Sequence, residues 1–392
     1  MDFEHSSRVN RLLDDAAIAQ RVLDHIDNQT TDLGRECLSE PVANYRSTER
    51  LQRELSDVFR NVATPFCPSA ALAKHGDFVA RDAAGVPLIA VRGQDGIVKA
   101  FRNACRHRGA QLAQGAGHKN SFVCPYHGWT YGLDGALRHI PHEHGFPGLD
   151  KATHGLVPVA VREHGGLVFI HQRGADSDFD ALADIPALLT ADLELIATSE
   201  RINEANWKIV AEGFLEGYHI YPTHRDTFYP VQFDNLNVIE HFARNSRVTF
   251  PYRNIQKLRD VEPAGRRVAG TLTHVYHLFP NVMVATFPHR TIVAVLEPQS
   301  VAATKVITYT LAALQTVRDK QPAIVQDTQF VDAGAEQDRA VVQSIQRGLA
   351  TEANEVFEFG RFEAAIVHMH QNLHAMLDAP LRARTDVETA IG

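Results

Sequence analysis

Two short stretches, Asn103-Ala-Cys-Arg-His-Arg-Gly109 and Cys124-Pro-Tyr-His-Gly-Trp129, decide how the N-terminal half of this chain is built. They set four metal-binding side chains, Cys105, His107, Cys124 and His127, in the pattern Cys-x-His-x16-Cys-x2-His. Two Cys and two His at loop spacing suit either tetrahedral zinc or an iron–sulfur cluster. Zinc fingers usually take their Cys from one short loop and their His from another. Here each loop offers one of each, which matches a two-iron cluster with imidazoles in place of two thiolates on one iron. Neutral imidazoles remove negative charge from such a cluster and can lose a proton on oxidation, which couples electron to proton transfer.

The residues around these ligands resemble the two cluster loops of the Rieske domain almost residue for residue. The resemblance implies a [2Fe-2S] Rieske cluster, with Cys105 and Cys124 on one iron and His107 and His127 on the other. Rieske proteins of respiratory complexes tie these loops with a disulfide and carry small hydroxylated residues near the sulfurs. In this chain the two remaining cysteines, Cys37 and Cys67, belong to no motif, and Trp129 stands where such a hydroxyl would lie. Reduced thiols and a cytoplasmic location are expected. Few hydrogen bonds to the cluster, and hence a low potential suited to electrons from NADH, are expected too.

A chain of 392 residues has room for two cores. A net charge of −8 argues against nucleic acid and against an anionic membrane. No apolar run is long enough to cross a bilayer, and Met1-Asp-Phe-Glu-His lacks the basic start of a secretory leader.

Helical patterns are expected over Val9–His25 and, behind the capping pair Ser47-Thr48, through Leu51, Leu55, Val58, Phe59 and Val62. Strand patterns begin near Gly76. Hairpins are expected around Gly93-Gln-Asp-Gly96 and Asp134-Gly135, with a buried strand at Gly166–His171 and a linker at Arg173–Asp178. Leu272–Leu278, Val282–Phe287, Thr291–Leu296 and Lys305–Leu314 predict an antiparallel set, followed by long helices at Asp319–Gly348 and Ala353–Leu377. The expected class is α+β: a helical segment at 1–55, an all-β Rieske [2Fe-2S] domain at 56–172, and a domain at 173–392 in which helices cover an antiparallel sheet.

A second constellation lies in Asn206-Trp-Lys208 through His224. Glu212, Glu216 and His219 fall at i, i+4 and i+7, so a helix would align them on one face. Pro222 is expected to end or kink that helix and let His224 swing back beside His219. Two such histidines with a carboxylate from elsewhere make the 2-His-1-carboxylate site of non-haem iron oxygenases. With the upstream cluster loops and Gln346-Arg-Gly-Leu349, the chain resembles the catalytic α subunit of the Rieske non-haem iron oxygenases over roughly residues 40–380.

The resemblance implies mononuclear Fe(II) on His219, His224 and an acidic residue shortly before the Gln-Arg-Gly segment. Asp338 fits best, with Asp332, Glu336 and Asp327 as competitors. It casts Glu216 as the carboxylate that bridges a Rieske histidine and the iron site across the boundary of a head-to-tail homotrimer. It implies a separate flavin-containing NAD(P)H reductase, with or without a ferredoxin, since the chain has no Gly-x-Gly-x2-Gly fingerprint. The reaction expected is hydroxylation of an aromatic ring, as in aromatic hydrocarbon catabolism, or attack on the methyl group of a quaternary amine with loss of formaldehyde. A Rieske electron carrier with an inert second domain is the non-enzymatic rival.

The chain departs from many relatives in having Gly213 where they carry Asn, which leaves the hydrogen bonding around the iron open. Phe228, Tyr229, Phe233 and Phe287 are candidates to line an apolar pocket. His139, His142 and His144 suggest no site, while His370 and His374 share a helix face and could bind a metal, with no carboxylate or third ligand evident.

Overall fold

Val282 and Val284 of the strand Val282–Thr286 pack into one core, while Met283 and Ala285 pack into another. Side chains alternate across a strand, so this unbroken apolar run marks a strand covered on both faces. The computed structural model describes residues 12–174, 176–313, 315–316 and 321–378. The strand sits at the centre of a seven-stranded antiparallel sheet ordered Leu193–Asn203, Ala303–Ala313, Thr291–Ser300, Val282–Thr286, Leu272–Leu278, Asn245–Pro251, Val238–Phe242. One face packs on helical residues that include Trp207, Val210, Val342, Met369 and Leu373. The other packs on Leu88, Ala90, Leu167 and Phe169 of a second sheet.

That second sheet is also seven-stranded, ordered Thr64–Pro68, Leu167–His171, Pro158–His164, Val98–Arg102, Val86–Arg92, Asp77–Ala83, Gly115–His118. Its far face closes against a small three-stranded sheet, Phe122–Val123, Thr130–Tyr131 and Leu137–His139. Between them lies a core of Phe78, Ile89, Phe101, Trp129 and Tyr131 that also buries Cys105 and Cys124. A buried ion pair, Arg81 to Glu297 at 3.2 Å, joins the two large sheets, and Glu297 also accepts from the backbone N–H of Ala84. The helix Asp15–Asn28, capped by the Asp14 carboxylate, lays Ile18, Ala19 and Val22 on Val238 and Leu272 of the C-terminal sheet and on Leu236 just before it.

The mixed α+β class and both expected hairpins are present. Four local expectations change. The strand Val356–Phe359 pairs with Leu38–Pro41, so the C-terminal helix begins at Ala364 instead of Ala353. The helix Thr48–Arg53 continues as a wider π-helical turn over Glu54–Phe59. Asp176–Asp184 forms 3-10 turns that begin inside the expected linker Arg173–Asp178 and run past it. The stretch from Asn206 to His224 is a broken helix, for reasons given below. Leu193–Asn203, an unpredicted strand, lies at an exposed sheet edge and carries Glu194, Glu200 and Arg201, charges that discourage further pairing. Residues 9–11, Leu314, 319–320 and the side chain of Asp327 lie outside the described residues.

Candidate cluster and metal sites

The two cysteine loops share one backbone design. Cys105 N–H donates to Ala110 O and Cys124 N–H to Trp129 O, each at 2.8 Å. Gly109 and Gly128 return hydrogen bonds to the carbonyls of Cys105 and Cys124, both with φ near the left-handed region, at +77° and +73°. Any residue with a Cβ would be strained there, which explains a glycine four places after each cysteine. Asn103 clamps the first loop by donating to Ala113 O and accepting from Leu112 N–H, each at 2.8 Å.

Cys105 and Cys124 are buried side by side, and burial together with the neighbouring sulfur pushes the Cys105 thiol up. His107 and His127 approach with ring centroids 4.7 Å apart. Trp129 stacks on His107 at 5.0 Å, and the buried His107 Nδ1 has no hydrogen-bond partner. His127 Nε2 accepts from the Arg108 guanidinium at 2.7 Å, so its Nδ1 remains for a ligand. Two facing sulfurs, an orphaned imidazole nitrogen and a second imidazole engaged on its outer side fit a Rieske cluster. One expectation needs correction. The hydroxyl absent at Trp129 is supplied by Tyr131, which sits 3.3 Å from Cys105 Sγ and accepts from Arg106 N–H at 2.9 Å.

The second site grows from a competition between helix and side-chain capping. Asn206 caps Trp207–Glu212 by accepting from Lys208 N–H, and its own N–H donates to Gln346 Oε1 at 2.8 Å. The Asn-Trp-Lys and Gln-Arg-Gly-Leu segments therefore meet directly. Trp207 Nε1 and Lys208 Nζ both bind the buried Glu54 carboxylate, at 2.9 and 2.7 Å. Beyond Gly213 the helix stops. The Glu216 carboxylate accepts from the backbone N–H groups of Tyr218 and His219, which starts a new turn instead of extending the old one. Gly217 passes so close to Asn237 that a Cβ would lie 2.2 Å from its Oδ1. The break thus falls before His219, whereas Pro222 sits within the short helix Ile220–Thr223, where its missing N–H does no harm. Glu212 does not join Glu216 on one face. It is buried and bound to Tyr45 and His370.

The broken helix still brings the predicted ligands together. His219 Nε2 lies 3.5 Å and His224 Nε2 2.8 Å from Asp338 Oδ1, and the three residues form a group able to hold a metal ion. Asp338 comes from the long helix Gln321–Gly348, whose Asp332 and Glu336 line the adjoining cavity without joining the group. Each imidazole is held from behind, His219 Nδ1 by Glu216 and His224 Nδ1 by Gln337 Oε1 at 2.9 Å. Burial alone would lower the His219 pKa, but Asp338 and Glu216 on either side raise it to about 10. Two imidazoles with one carboxylate beside them fit Fe(II). Gln337 was not legible beforehand. Its only signal is adjacency to Asp338. It sets a side-chain amide against His224, which Gly213 does not offer.

The ligands open onto a cavity of about 460 Å³. Phe214, Phe228, Phe250, Phe287 and Phe330 form much of its wall, with Arg201, Arg339, Asp332 and Glu336 as charged members. Of the aromatics proposed from sequence, Phe228 and Phe287 line it. Tyr229 and Phe233 instead flank Arg253.

Two family models match in tandem, "Rieske [2Fe-2S] domain" over residues 63–156 and "Ring hydroxylating alpha subunit (catalytic domain)" over 190–379. The chain belongs to the Rieske non-haem iron oxygenases and is an oxygenase α subunit, an oxidoreductase. It is 32% identical over 229 residues to the carnitine monooxygenase oxygenase subunit of Acinetobacter pittii (strain PHEA-2), spanning 54% of this chain and 61% of that one. The corresponding Escherichia coli (strain K12) subunit is 29% identical over 333 residues, 80% of this chain and 85% of its own. A solved quaternary ammonium Rieske monooxygenase bound to L-carnitine shares the fold, with a TM-score of 0.73 and 23% identity over 86% of this chain and 95% of that one. Aromatic hydrocarbon catabolism is therefore not supported, because these two curated relatives are carnitine monooxygenase oxygenase subunits.

Proposed function

We propose that this chain is the terminal oxygenase of a cytoplasmic monooxygenase system that acts on a quaternary ammonium compound. The observation that carries this is the group His219, His224 and Asp338 at the end of an aromatic-walled cavity, in a chain with complete cluster loops. His219, His224 and Asp338 would hold Fe(II), and Cys105, His107, Cys124 and His127 the Rieske cluster. Bound together, these groups supply electron-driven activation of O2.

The protein's own residues do the rest. Glu216 and Gln337 orient the two imidazoles so that their Nε2 atoms point inward. The phenylalanine wall excludes water and offers ring faces to a methylated cation, and Asp332 and Glu336 add negative potential. The overall balance is O2, two electrons and two protons with a substrate C–H, giving an alcohol and water. At a carbon bonded to nitrogen that alcohol collapses to an aldehyde and the shortened amine.

Electrons would come from NAD(P)H through a separate flavin reductase, directly or by way of a ferredoxin. Glu216 would pass them between subunits of a head-to-tail homotrimer. Exposed Tyr126 and Val123 beside the cluster, and exposed Tyr218 and Tyr221 beside the iron ligands, are apolar surface of the kind such a junction covers. We take 56–172 as the cluster domain and 173–392 as the catalytic domain, with 1–55 as the N-terminal segment.

The test is turnover under 18O2 with a reductase, offering carnitine, betaine and choline beside aromatic acids. The expected result is one labelled oxygen in the product of a quaternary amine. Two labelled oxygens in a single ring product would sink the proposal.

A further inference from the structure

Apart from the proposed cluster and iron ligands, one further group of metal-binding side chains converges among the described residues: Glu40, His370 and His374. Glu40 lies on the strand Leu38–Pro41, and both histidines lie on the helix Ala364–Asp378, one turn apart. The strand's pairing with Val356–Phe359 and the packing of that helix bring them together. We infer that these three side chains form a second divalent-metal site of the zinc class, separate from the iron centre, which ties the N-terminal strand to the C-terminal helix.

The distances carry the inference. Two ligands at zinc bond lengths on a tetrahedral ion sit roughly 3.4 Å apart. His374 Nε2 lies 3.0 Å from Glu40 Oε2, and His370 Nδ1 lies 3.7 Å from Glu40 Oε1. The second separation is too long for a hydrogen bond yet matches two donors on one ion. His370 Nδ1 is buried and has no hydrogen-bond partner, and the Glu40 oxygens face His374 Nε2 at 3.0 and 3.2 Å, so one donor atom from each of the three residues converges on one space. His370 and the Glu40 side chain are fully buried, whereas the His374 side chain is 34% exposed, which leaves an entry path and room for a water as fourth ligand.

The surroundings have the form of a metal site as well. His370 Nε2 sits 2.9 Å from the Glu212 carboxylate, which in turn accepts from Tyr45 OH at 2.6 Å. A carboxylate on the outer nitrogen fixes the tautomer and leaves Nδ1 as the ligating atom. Asn44 donates to Glu40 Oε1 at 2.7 Å and orients that carboxylate. The metal-free alternative pairs His374 Nε2–H with Glu40 and His370 Nε2–H with Glu212. That arrangement leaves His370 Nδ1 buried at 3.7 Å from Glu40 Oε1 with no donor, a desolvation loss that an ion removes. Because Glu212 lies on the helix that leads to Glu216 and His219, the ion would also brace the approach to the iron site.

The experiment uses the full chain with its cluster, carrying His219→Ala and His224→Ala to silence the iron centre. After mild chelation it is equilibrated with Zn²⁺ alone and freed of excess. The expected result is about one zinc per chain, a higher unfolding temperature and an unchanged cluster EPR signal. Adding Glu40→Gln or His374→Ala should remove the zinc and the thermal shift and leave the cluster signal. Zinc-edge X-ray absorption on the parent needs neither variant, and should show two imidazoles with oxygen ligands and no sulfur. Zinc at background level, zinc indifferent to both substitutions, or a sulfur-containing or all-oxygen shell would overturn the inference.

Discussion

The proposed cluster site and the proposed iron site show two ways of building a metal centre in one chain. The four cluster ligands come from two turns close together in sequence, each closed by its own hydrogen bonds and a glycine in the left-handed region. The iron site takes two histidines from a helix that has been interrupted and a carboxylate from a helix far downstream. The first is a local structure that the surrounding core merely shields. The second exists only because both faces of the C-terminal sheet are packed and its helices are held in register. A site of the first kind should survive damage that destroys one of the second kind.

Substituting an iron-site ligand tests that contrast most severely. His219→Ala or Asp338→Ala should lower turnover by more than about 10³-fold, the loss of several kcal/mol of metal-dependent stabilisation. The dithionite-reduced Rieske EPR signal should stay at full intensity. Loss of the cluster signal in either variant would show that the two sites are coupled in folding.

Lys208→Ala sharpens the comparison at the level of stability. It removes one of the two cations on the buried Glu54 carboxylate, leaving Arg50 at 3.1 Å, and should destabilise the protein by about 1–3 kcal/mol, read from denaturant unfolding. Fluorescence and cluster absorbance should part company in that experiment, with the C-terminal region unfolding first.

Acid should act on the same side. Burial lowers the pKa of His277 to about 4, of His274 to about 3 and of His241 to about 4, all in the C-terminal sheet. Unfolded histidines titrate near 6.5. Between 6.5 and these lower values the unfolded chain binds protons that the folded one refuses. The stabilisation is therefore complete above pH 6.5 and is lost as pH falls toward 4, with about 2 kcal/mol gone for His277 alone by pH 5. His277→Asn should flatten the dependence of unfolding temperature on pH over that window.

Gln337→Leu probes the support of a single ligand. It frees His224 Nδ1 and should weaken Fe(II) binding roughly 10–100-fold, measured by competition with a chelator, while the cluster is untouched. The smallest effect belongs to the cluster loops. Tyr131→Phe removes one hydrogen bond to Cys105 Sγ, worth about 1 kcal/mol, and should lower the cluster potential by about 40 mV in a redox titration.

Much of this was legible beforehand where the chemistry is short-range. The Cys-x-His and Cys-x2-His loops, the hairpins at Asp134-Gly135 and Gly93–Gly96, and the pair His219 and His224 all announce themselves within a few residues. Reading Glu212, Glu216 and His219 as one helical face failed because a carboxylate capping its own following N–H groups outcompetes helix continuation, and periodicity does not register that. Ala353–Phe359 failed for another reason. Its partner strand, Leu38–Pro41, is almost the whole chain away.

The sequence by itself determined the donor types, the two-domain order and the family, because ligand chemistry and turn geometry depend on neighbours along the chain. Only the tertiary structure decided that Asp338 and not Asp332 or Glu336 meets the two imidazoles, and that Gln337 stands behind His224. It alone set Glu40 against His370 and His374. Each of these is a contact between elements distant in sequence, fixed by how sheets and helices bury their apolar faces, and no local pattern encodes it.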